Sequence, residues 1–220
     1  VSTDDVSSFR IGGGLTALGA AGVVVASASY AAAPVAAALP GPLDPVLAHD
    51  GAQAGAAWLH MAGVVGACSD VPLLIGCALV ALALLGRGEP RAAVGWLALA
   101  VGTAVFVAVD VLAGYALGPL AAQAGADGAF VLAKRMFDAA FLLGTATFGA
   151  GMLIALGECV PVSRRFKTAS RAIGAIAFVA ALAGLAGAPL ARAVGLSVAA
   201  SALLYAAVGL QLAKGQRVAR

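Results

Sequence analysis

The chain has 220 residues, 62% of them hydrophobic and 10% charged, with a mean hydropathy of +1.02. Soluble domains average about 45–50% apolar and about 25% charged residues, so an ordinary soluble domain is excluded. The formal charge is +3, but the bases form no run suited to nucleic acid and no aromatic-rich surface for stacking bases, so no nucleic-acid partner is expected.

Val1–Arg10 reads as a polar tail, and Ile11–Ala33 is the first hydrophobic segment. Ala26-Ser27-Ala28 fits a small-residue cleavage site. However, the tail carries Asp4 and Asp5 against a single base, Arg10, and the apolar stretch is long for a signal peptide. The segment is therefore kept as helix one. Pro34, Pro40, Pro42 and Pro45 then break the pattern, and residues 38–55 read as a loop holding Asp44, His49 and Asp50.

Five further apolar segments follow at about 56–85, 92–117, 129–157, 171–187 and 190–212. Each is long enough to cross a bilayer, or nearly so. None shows the strict alternation that a barrel strand needs. The connections are the basic turn 86–91, the acidic turn 118–128, the basic loop 158–170 and the Ala188-Pro189 break. The expected fold is a single all-α domain over 1–220: a polytopic membrane bundle of six transmembrane helices, with the lipid bilayer as its one certain partner.

Orientation follows from the bias of bases toward the cytoplasmic side. Arg10, Arg87, Arg91, Arg164, Arg165, Lys167, Arg171, Lys214, Arg217 and Arg220, ten of the thirteen bases, fall on one side of a six-helix topology. Both termini are therefore expected in the cytoplasm of a bacterial cell membrane. Trp58 and Trp96 lie near helix starts and are expected at the interface. Small-xxx-small pairs such as Gly22/Ala26, Thr145/Gly149 and Ser197/Ser201 point to close helix packing within the chain; they do not define an oligomer. Cys68, Cys77 and Cys159 read as small buried hydrophobes. The first two are nine residues apart on one helix, roughly 13 Å along its axis, too far to bridge.

A polar layer stands out against this background. Helix two carries His60, Gly63, Ala67 and Asp70 on one face. Helix three carries Thr103 and Asp110; helix four carries Lys134, Arg135, Asp138 and Thr145. Antiparallel geometry about the turns near Glu89 and Ala124 sets Asp70, Asp110 and Asp138 at similar depth in the outer half. Both Lys134 and Arg135 have the helical spacing to meet Asp138. Asp110 has no opposite charge on its own helix, and an unpaired ionised Asp in hydrocarbon costs at least about 2.5–3.5 kcal/mol. It is expected to pair with a base, face water or carry a proton.

Cofactor and metal chemistry finds no matching pattern. His60 is the one histidine placed in a membrane helix, whereas haem centres commonly use paired axial ligands. His60 and Asp70 are about 15 Å apart along a regular helix, too far to share one metal ion. No Ser–His–Asp arrangement is apparent, and Gly12-Gly13-Gly14 lacks a phosphate-loop lysine. No cofactor, metal or catalytic residue is expected.

The helix spacing, the charged start Ala133-Lys134-Arg135-Met136-Phe137-Asp138 and the basic 164–171 stretch resemble small bacterial six-helix membrane proteins of unknown function. That resemblance implies no activity and no site. The leading reading is binding, or help in transport, of a small polar solute, with His60, Asp70, Asp110, Lys134, Arg135 and Asp138 as ligand-binding residues. The runner-up is a non-catalytic accessory or scaffold protein. The third is a membrane enzyme acting on a lipid or quinone.

Overall fold

The computed structural model describes residues 3–32, 45–155 and 163–215. The breaks at Pro34, Pro40 and Pro42, Cys159, and the end of the basic tail at 216–220 lie outside these residues. All regular elements among the described residues are helical: α1 (Thr3–Ala32), α2 (Pro45–Ala54), α3 (Ala56–Gly86), α4 (Pro90–Leu112), a π turn (Ala113–Leu117), α5 (Gly118–Ala122), α6 (Asp127–Ala155), α7 (Arg164–Leu185) and α8 (Ala191–Ala213). Six spans are long and apolar enough to cross a membrane: Ser7–Ala31, Ala56–Gly86, Pro90–Ala122, Asp127–Ala155, Arg164–Leu185 and Ala193–Ala213. The protein is a multi-pass helical membrane bundle.

Four boundaries differ from the sequence reading; the first is that α1 begins at Thr3, within the stretch read as a polar tail. Residues 45–54, read as loop, form α2 with Pro45 as its first residue, where a missing N–H costs a helix nothing. The helix that begins at Pro90 continues through the π turn and α5 to Ala122, past the expected stop at Gly118 and Pro119. Helix α7 starts at Arg164 rather than Arg171 because Ser163 caps it: its Oγ accepts from the Phe166 N–H at 3.2 Å. The bases Arg164, Arg165 and Lys167 therefore lie on helical turns.

Each spanning helix packs against its neighbours in the chain, and α8 closes back onto α1, so the six form a ring. Its interior is filled by side chains. Tyr205 of α8 meets Trp96 of α4 at 6.3 Å and Phe148 of α6 at 4.8 Å between ring centroids, and Phe106 joins Phe148 at 5.9 Å. Trp96 is thus a core residue and not the interfacial anchor expected, while Trp58 is exposed. Leu18, Leu82, Val101, Leu132, Val179 and Leu196 point outward, which suits a surface solvated by acyl chains.

Glycines set the closest contacts. Between α3 and the π turn, a Cβ added to Gly63 would stand 2.6 Å from the Gly114 backbone. Between α1 and α3, a Cβ on Gly19 would stand 2.5 Å from the Leu73 N. Backbones can approach this far only where a side chain is absent. Pro72 sits inside α3 without ending it.

Candidate functional site

Helix α3 turns Gly63, Gly66, Asp70, Leu73 and Cys77 toward the bundle interior, the three- and four-residue spacing of one face. Helix α4 turns Thr103, Phe106 and Asp110 inward. Where these faces meet, the Asp110 carboxyl lies over Gly66, in the space a Cβ at that position would fill. Asp70 is one turn further along the same inward face of α3, so the two acids are buried beside each other. Both are almost wholly buried, Asp70 at 3% exposed and Asp110 at 6%.

A third helix completes the cluster. The Tyr30 hydroxyl, near the end of α1, donates to Asp110 Oδ1 at 2.7 Å. On the other carboxyl, Asp70 Oδ2 is buried and has no hydrogen-bond partner. Ser69, beside Asp70, turns its hydroxyl back to the Val65 carbonyl at 2.5 Å, as membrane-helix serines commonly do. Among the described residues, neither Asp70 nor Asp110 forms an ion pair.

The π turn begins three residues after Asp110 and leaves the helix's regular bonding pattern. His60 of α3 meets this turn: its Nδ1 lies 2.9 Å from the Gly114 carbonyl, and its ring packs edge-on against Tyr115. A carbonyl only accepts, so Nδ1 carries the proton in this bond. His60 is itself exposed.

Helix α6 carries the second charged group. Lys134 Nζ donates to Asp138 Oδ1, one turn on. The Lys134 side chain is 7% exposed and that of Asp138 16%. Arg135 points outward and is exposed. Lys134 belongs to the face of Phe130, Ala133 and Phe137, which packs inward; Arg135 is rotated off it.

Contact register fixes the relative heights. Gly95, Leu99 and Gly102 of α4 face Ala155, Gly151 and Phe148 of α6, so each step along one helix is matched by a step back along the other. The same register brings Asp110 level with Ala140, two residues from Asp138. Asp70 lies one turn from Gly66, about 6 Å further along α3. The charged residues named from sequence therefore divide into an acidic pair with Tyr30 between α1, α3 and α4, and a Lys134–Asp138 ion pair on α6. Arg135 and His60 stand at the periphery.

Tyr30 is the member that sequence reasoning missed. It is uncharged and sits inside an apolar helix. The available signal was that it is the one tyrosine of helix one, near its C-terminal end.

The arrangement brings together two carboxyl groups, one hydroxyl donor and, on Asp70, a buried oxygen without a hydrogen-bond partner. Among the described residues, no group of three His, Cys, Asp or Glu side chains is placed to hold a metal ion. A groove bordered by Arg91, Val94, Leu153 and Ile154 lies at the opposite, basic end of α4 and is separate from this cluster. Comparison with protein-family models, curated proteins and solved structures found no match.

Proposed function

We propose that this membrane protein binds a small cationic or polar solute, or helps to transport it, through the polar layer in the outer half of its bundle. The observation that carries this reading is the pair Asp70–Asp110, buried beside each other with no basic partner among the described residues and with Asp70 Oδ2 lacking a hydrogen-bond partner. Buried carboxylates without a base attract positive charge, and membrane proteins keep such groups mainly where they serve ions or solutes. Lys134 is already engaged by Asp138, so it leaves the acidic pair uncompensated. We place the protein in a bacterial cytoplasmic membrane with both termini inside, on the distribution of its bases.

The test is thermal unfolding of the detergent-purified protein with a panel of monovalent cations running from sodium to tetramethylammonium. A cation that binds the folded state raises the midpoint; at about 100 times its Kd it adds about 2.7 kcal/mol. At least one cation is expected to raise the midpoint of the wild type and to have no effect on Asp110→Asn. If no cation shifts the wild type, or the shift survives in the variant, the reading fails. A second reading, a packing scaffold, is favoured by one feature: Lys134 and Asp138 satisfy each other on a single helix and need no ligand.

A further inference from the structure

Asp70 and Asp110 are buried acids of adjacent helices, set one helical turn apart where the two faces meet at Gly66. Ionised carboxylates only accept hydrogen bonds, so two carboxyls can bond to each other only if one carries a proton. Tyr30 gives its single hydroxyl proton to Asp110 Oδ1 and so has none for Asp70. Gly66 removes the side chain that would hold the two acids apart. Both groups are buried in a part of the chain that crosses the membrane, where two adjacent negative charges would repel and lack water to screen them.

We propose that Asp70 and Asp110 form a proton-binding pair that holds one proton between the two carboxyls, with Tyr30 fixing the geometry of the acceptor. The pair then carries one negative charge rather than two. The proton is taken up from water as a carboxylate becomes a carboxylic acid, and no bond other than O–H is made or broken.

The neighbouring charged and titratable groups leave this assignment intact. On α1 the facing group is Tyr30 itself. On α3, His60 is committed to the Gly114 carbonyl and Tyr115. On α6, Lys134 and Asp138 stand near the same height but pair with each other. From α2, His49 meets Asp50 and Asp127 at 3.8 Å and turns to Phe130. The proton site stands whether or not a solute binds beside it.

Infrared spectroscopy of the full chain reconstituted in liposomes tests the assignment, in buffer without the cations of the solute panel. A protonated-carboxyl carbonyl band is expected at neutral pH and is expected to fade under alkaline conditions. The band should be lost or displaced in Asp70→Asn and in Asp110→Asn, and retained in the surface variant Asp50→Asn. Tyr30→Phe gives a milder check should the Asn variants fail to fold: the band should shift as one hydrogen bond disappears. Absence of the band from the wild type at neutral pH overturns the proposal. So does a band unchanged in both Asn variants, or one unmoved by Tyr30→Phe. A band present in a protein that binds none of the cations would remove the solute reading and leave the proton pair standing.

Discussion

Tyr30 and Asp110 lie eighty residues apart and meet at 2.7 Å, the hydroxyl of α1 on the carboxylate of α4. This one bond ties the end of the first spanning helix to the middle of the bundle.

Replacing Tyr30 by Phe removes the hydroxyl and keeps the ring. Hydrogen bonds between membrane helices are worth about 0.6 kcal/mol on average and about 1.7 at most. Tyr30→Phe should therefore fold and lose about 1 kcal/mol, read as a small drop in the unfolding midpoint in mixed micelles. Loss of the folded protein would give Tyr30 a larger structural role than its one hydrogen bond.

Gly66 and Gly14 should respond oppositely to the same substitution. A methyl at Gly66 would collide with the Asp110 carboxyl, whereas one at Gly14 meets nothing within 4 Å. Overpacking typically costs about 1–3 kcal/mol, while Gly→Ala in a helix interior gains about 0.5–1 kcal/mol. Gly66→Ala should lower the midpoint and disturb the carboxyl pair; Gly14→Ala should raise it or leave it. Equal effects would mean that α3 and α4 do not approach each other at Gly66.

The Lys134–Asp138 pair invites a double-mutant cycle. Removing one partner leaves a buried charge uncompensated, a loss of about 3–5 kcal/mol, while replacing both by apolar residues is often neutral. Lys134→Leu should be strongly destabilising, and Lys134→Leu with Asp138→Leu should return to within about 1 kcal/mol of the wild type. Arg135→Leu should cost little, because that side chain is exposed. If Arg135→Leu proved the more damaging single change, Arg135 would be the true partner of Asp138.

Topology gives a prediction independent of the site. A reporter fused after Arg220 should read cytoplasmic, and one inserted in the 123–126 turn should read external. The reverse pattern would invert the orientation drawn from the bases.

The six spans were legible in the sequence because hydropathy reports burial in lipid directly, without knowledge of tertiary contacts. Helix ends were less so. Pro45 resembles a breaker until it is recognised as a first helical residue, and Arg164–Lys167 resembles a loop until Ser163 is read as its cap. The antiparallel register was also accessible, since hairpins fix relative height, and it brings Asp110 close to the level of Asp138. What hairpins cannot supply is the direction each face takes around the ring. Lys134 and Arg135 have equal claims on Asp138 by spacing alone, and the inward face containing Phe130 and Phe137 settles it for Lys134. Tyr30 was invisible for a related reason: the partnership of helix one with α3 and α4 is a tertiary fact, and an uncharged phenol carries no mark of it.

The most direct measurement is the reactivity of position 110 in the membrane. Asp110→Cys, made in a background with Cys68, Cys77 and Cys159 replaced, would be exposed to a small cationic thiol reagent added to the outer side. A functional polar layer predicts modification at that position, slowed by any cation that raises the unfolding midpoint of the wild type. A thiol that stays unmodified in folded protein, with Cys at the surface position 50 reacting normally, would contradict a solute site at Asp110.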